Sequence, residues 1–165
     1  MKRSLLALAL LLGCGTAKQP GEVFDAYLAA YAQGDSETMW DLSTPAARLD
    51  ARRLRLEMMA ALADPDPVQR IGVEGTFGIT ADTLRPMDDK AFFVWALGAI
   101  RHRLGAAFVR RTVEGMRFAR IEPDGQGVAI IYREASGVES RLPMRKVDDV
   151  WRVDMSPFPQ PKPQP

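Results

Sequence analysis

Apolar positions recur with a helical period soon after Pro20. Val23, Phe24, Tyr27, Leu28 and Tyr31 fall at i, i+1, i+4, i+5 and i+8, which places them on one face of a helix. Gly34 is a natural stop. Asp35 or Ser36 can cap a short second helix that holds Met39, Trp40 and Leu42. Thr44-Pro45 then reads as a start signal, with Thr as the cap and Pro at the first helical position. The third helix runs through Leu49, Leu56, Met59 and Ala63. It ends at Asp64-Pro65-Asp66-Pro67, since a residue before proline is turned away from helical dihedrals. Across 68–86 the glycines Gly72, Gly75 and Gly78 break any simple pattern. Asp88 caps a further helix, KAFFVWALGAIRHRL. Phe92, Trp95, Ala96 and Ala99 share one stripe of it, and Phe93, Leu97 and Ile100 carry the apolar surface further round, so this helix is expected to be deeply buried.

The period then changes. MRFARIE, VAIIYRE, VESRLPMRK and VWRVDM are short and rich in β-branched or aromatic residues. The segments Pro123–Gly127, Ala135-Ser136-Gly137 and Asp148-Asp149 separate them as turns. Spacing this close permits only antiparallel neighbours, because a parallel pair needs a long crossover. Along the last strand Trp151, Val153 and Met155 point one way and Arg152 and Asp154 the other. The expected fold is α+β, with N-terminal helices packed on one side of a C-terminal, four-stranded antiparallel meander.

Both ends of the chain have their own character. Lys2 and Arg3 precede an apolar run from Ser4 to Leu12, and Gly13 stands before Cys14, the single cysteine of the chain. A basic start, a short apolar run and a small residue make the layout of a secretory signal. The run is too short to span a bilayer, which needs about 20 apolar residues. Leu11-Leu12-Gly13-Cys14 resembles the lipobox of bacterial lipoproteins. The resemblance implies cleavage before Cys14, a diacylglyceryl group on its sulfur and attachment to a membrane through that lipid. Gly15, rather than an aspartate, follows the cysteine. In a Gram-negative cell this implies the outer membrane, with the protein on the periplasmic face; in another cell type it implies the cell membrane. The expected organisation is a signal peptide over 1–13, a lipidated tether over 14–21, one α+β domain over 22–156 and a tail over 157–165. The tail alternates proline at 157, 159, 161, 163 and 165, which favours extended, disordered chain.

Charge narrows the classes of partner. The chain has 22 basic and 21 acidic side chains. Cleavage before Cys14 removes Lys2 and Arg3 and no acid, which leaves a formal charge of −1. Such a balance gives no field to recruit nucleic acid. A single histidine and one cysteine leave little from which to build a zinc site, and the acidic pairs lack calcium-loop spacing. No metal or cofactor is expected. Arg52-Arg53-Leu54-Arg55 is a basic cluster on a helix, read as a solvated face. The candidates for a small pocket are Tyr31, Trp40, Asp41, Phe92, Trp95 and His102: aromatic walls, one carboxylate and one imidazole.

The run YLAAYAQGDSETMWDL, with Gly34-Asp35 before Met39-Trp40, together with the closing Trp151-Arg152-Val153, resembles the nuclear transport factor 2-like superfamily. That resemblance implies a cone, in which a curved sheet wraps over helices and leaves a pocket at its open end, and it makes dimerisation through the sheet a common outcome. The expected function is a lipid-anchored periplasmic binding or accessory module without catalytic activity. A cyclase-like pocket enzyme or small-molecule binder, with Asp41 or His102 carrying a proton, is the first alternative. A scaffold piece of an envelope complex, meeting an envelope protein, is the second.

Overall fold

The computed structural model describes residues 18–158. Among these residues seven helices come first: α1 (Pro20–Gln33), α2 (Ser36–Leu42), α3 (Pro45–Ala63), α4 (Pro67–Phe77), α5 (Ala81–Leu84), α6 (Asp89–Leu104) and α7 (Ala106–Glu114). Four strands follow: β1 (Arg117–Asp124), β2 (Gly127–Arg133), β3 (Glu139–Val147) and β4 (Val150–Val153). They form one antiparallel sheet in the order β1-β2-β3-β4. The fold is therefore α+β, with helices laid against a four-stranded meander.

Short side chains fix the helix starts. The Asp35 carboxylate accepts from the Thr38 N–H at 3.0 Å and opens α2. The Thr44 hydroxyl accepts from the Ala47 N–H at 3.1 Å and donates to Asp154 at 2.7 Å, so the cap of α3 also ties that helix to the chain leaving β4. Asp66 caps α4, Thr80 caps α5 and Asp88 caps α6. Each such oxygen meets a backbone donor that the first helical turn leaves without a partner. Gly34 ends α1 with φ at 79°, in the left-handed region. A Cβ there would also lie 2.8 Å from Nε of Arg101, whose guanidinium donates to the Tyr31 carbonyl at 2.9 Å.

Three helical features depart from the sequence pattern. Leu49 and Leu56 are 60% and 52% exposed, and α3 buries Ala47, Ala51, Met58 and Leu62 instead. The small residues Ala47 and Ala51 are the ones buried near its start, and Leu49 and Leu56 face outward. Residues 67–77 form a continuous helix despite Gly72 and Gly75. Segment 106–114, which the sequence pattern left unassigned, is a helix held between Gly105 and Gly115 with Val109 buried.

The strands run close to their expected bounds. Val128, Ile130 and Tyr132 of β2 face the helices together with Leu142 and Met144 of β3 and Trp151 and Val153 of β4. Phe24, Phe92 and Phe93 are fully buried in this core. The loop between β3 and β4 is Asp148-Asp149, both with positive φ, a two-residue turn whose twist suits a hairpin. On the far face Ala129 and Ile131 are buried although charged residues surround them. Ile131 lies between Arg120 and Arg141 in the register, and the aliphatic stems of those arginines can cover it. Arg120 pairs with Glu122 and Glu139, Arg133 with Glu139, and Arg145 with Asp154 across that surface.

The packed part of the chain passes the boundary expected at 156. Phe158 is 4% exposed and packs tilted against Phe92 and edge-on against Phe93, with ring centroids 6.4 and 5.6 Å away. Burial of a large aromatic side chain outweighs the extended bias of the neighbouring prolines. The remainder of the expected tail, 159–165, lies outside the described residues.

Candidate functional site

A pocket of about 200 Å³ opens between the first helix and the sheet. The i, i+3, i+4, i+7 row Phe24, Tyr27, Leu28 and Tyr31 supplies one wall. Met39 of α2 with Leu97 and Ile100 of α6 closes the helical side. Tyr132 and Leu142 form the sheet wall, and Met116, Met155 and Pro157 border it from the segments that enter and leave the sheet. The Tyr132 ring lies 5.6 Å from that of Phe24, which joins the two walls. None of these twelve side chains carries a formal charge.

The polarity of the pocket comes from phenols. Tyr27 is 6% exposed. Its hydroxyl has no hydrogen-bond partner among the described residues. The hydroxyl is not fully enclosed and keeps a little exposure. Burial, and secondarily Tyr31 one turn away, push the Tyr27 phenol well above its ordinary value and keep it protonated. Burial also raises the Tyr132 phenol; the Ser140 hydroxyl opposes that rise and Glu134 adds to it. Such a site can enclose an apolar surface and exchange neutral hydrogen bonds. It offers no carboxylate, imidazole, thiol or amine to carry a proton or attack a bond.

Of the candidate residues, only Tyr31 lines this pocket. Phe92 is fully buried in the core. Trp95 stacks on Phe92 at 5.7 Å and borders a shallow surface groove with Glu37, Asp88 and Lys90. Trp40 packs edge-on to Phe93 at 5.3 Å and lies under the Arg48 guanidinium at 5.0 Å. The Asp41 carboxylate points to Lys90, 3.6 Å away, and its side chain is 67% exposed. The Asp41 carbonyl accepts from both Arg48 and Arg152. Burial, and then the neighbouring Arg152, lower the Arg48 guanidinium below its ordinary value. His102 is exposed and borders a separate groove with Phe77 and Arg103. In the basic cluster, Arg53 meets Asp50 and Glu57, and Arg55 meets Asp89 at 3.1 Å. Cys14 lies outside the described residues.

The sequence pattern set Tyr27 on the buried stripe of α1 but did not single it out as a site residue. The available signal was two tyrosines four apart on an otherwise apolar helix face, since a buried phenol needs a partner for its hydroxyl. Among the described residues, no group of three or more His, Cys, Asp or Glu converges, and no single helix is long and apolar enough to cross a membrane. No family model, curated protein or solved structure matches this chain.

Proposed function

We propose that this chain is a non-catalytic binding module of the bacterial envelope, anchored through lipid on Cys14 and holding a small neutral molecule between α1 and the sheet. The observation that carries the reading is the pocket itself: it is concave, apolar, free of charged side chains and furnished with phenols. Asp41 and His102, the residues that would carry a proton in an enzyme, lie at the surface away from it. The order of helices then meander is the one implied by the nuclear transport factor 2-like resemblance, which supports a pocket at this position. The lipobox resemblance supports the outer membrane and its periplasmic face.

Met39, Met116 and Met155 border the pocket from three separate segments, while Met58, Met59 and Met87 do not line it. Methyl-labelled methionine therefore reports on occupancy with internal controls. Titration of the full chain with neutral single-ring fragments is expected to shift the first three methyl signals and leave the others in place. Shifts confined to the controls, or no shift with any fragment, would refute the pocket. Cys14→Ser is expected to release the protein from the membrane fraction and abolish its acyl mass; a wild-type chain that stays soluble with a bare thiol would refute the anchor.

A further inference from the structure

The size and polarity of the pocket narrow its ligand. An apolar cavity of about 150 Å³ lined by Leu, Ile and Phe stays dry and accepts benzene. The present pocket, at about 200 Å³, exceeds that by little more than a small substituent. Its charge-free lining would leave an ion desolvated without compensation. The Tyr27 hydroxyl stays neutral, belongs to a residue only 6% exposed, and lacks a side-chain partner among the described residues. That hydroxyl keeps some exposure, so an acceptor on a bound molecule can take the place of water there. The methionines at the border let the wall adapt to the outline of a ring.

We infer that the ligand is an uncharged single-ring compound with one hydrogen-bond acceptor, its ring packed among Phe24, Leu97 and Leu142 and its acceptor on the Tyr27 hydroxyl. This rests on the pocket-binding reading above and assigns it a chemical class. Acetophenone and α-methylstyrene have nearly the same shape, and only the first carries an acceptor. With the full chain in detergent and methionine methyl signals as the readout, acetophenone is expected to bind about five-fold more tightly, the effect of one ordinary hydrogen bond. In Tyr27→Phe, which removes only the hydroxyl, the ratio is expected to fall to near one while α-methylstyrene keeps its affinity. Benzoate and the two-ring 2-acetonaphthone are expected to bind more weakly than acetophenone by at least that factor.

Equal affinity for the matched pair in wild type, a ratio unchanged in Tyr27→Phe, or tighter binding of benzoate or 2-acetonaphthone would overturn the assigned class and leave the pocket reading standing. Binding of none of the four probes would overturn both. Should Tyr27→Phe fail to fold, the matched pair on the wild-type chain still decides.

Discussion

Tyr27 sits on the buried side of α1, where a phenylalanine would fill the same space without a hydroxyl to satisfy. Replacing it is therefore not expected to weaken the fold near neutral pH: Tyr27→Phe should be as stable as wild type or slightly more so, because the group removed has no partner among the described residues. The same hydroxyl sets an alkaline dependence. A phenol in the unfolded chain releases its proton at about pH 10, whereas buried Tyr27 holds its proton to higher pH. As pH rises through that value, the unfolded chain sheds a proton that the folded chain retains. The linkage relation then requires stability to fall. Urea midpoints measured from neutral pH upward should decline for wild type beyond about pH 10. The decline should be shallower for Tyr27→Phe; parallel curves would show that the Tyr27 phenol is not held in a desolvated state.

At the scale of elements, helix α4 shows what local pattern leaves out. Gly72 and Gly75 obscure its period, yet Asp66 caps one end, the left-handed Gly78 closes the other, and Val73 packs against the core, so the eleven residues stay helical. A glycine inside a helix costs only about 0.5–1 kcal/mol relative to alanine. A Cβ at Gly72 would meet nothing within 4 Å. Gly72→Ala should therefore stabilise the domain by about 0.5–1 kcal/mol and raise the melting temperature by a few degrees; a fall in calorimetric Tm would mean that something requires the glycine. Sequence signals were strongest where chemistry is local. Thr44, Asp35 and Asp88 cap helices within three residues of themselves, and the strand period is written in adjacent residues. They were weakest where a distant neighbour decides. Which face of α3 turns inward depends on the elements packed against it, so Leu49 and Leu56 gave no local hint that Ala47 and Ala51 would be buried in their place. The pocket depends on Tyr132 meeting Phe24 across more than a hundred residues, a pairing that no periodicity encodes. Strand β1 has a further property of this kind. Its bulge between Phe118 and Arg120, its Arg117 and Arg120 and its Pro123 are devices that discourage an edge strand from pairing with another chain. Their purpose becomes visible only once the sheet order makes β1 an edge.

At the scale of the whole molecule, the pocket is assembled from both ends of the described chain. Helix α1 forms one wall, and Met155 and Pro157, beyond the last strand, form part of the border. Asp154, bonded to Thr44 and Arg145, fixes the start of that closing segment, and Phe158, whose ring packs against Phe92 and Phe93 of α6, fixes its end. The buried ring thus couples two properties that could have been separate: the stability of the domain and the completeness of its site. Phe158→Ala would remove a buried aromatic side chain and leave a cavity, which costs about 3 kcal/mol or more. It would also free Met155 and Pro157 from their position at the pocket. The expected result is a lower urea midpoint together with a weaker methyl shift of Met155 on titration with acetophenone, while Met39, on α2, still responds. Phe158→Leu, which keeps most of the apolar volume, should recover much of both losses. A Phe158→Ala chain with wild-type stability, or one that binds acetophenone as wild type does, would show that residues 155–158 merely rest against the domain and do not complete its site.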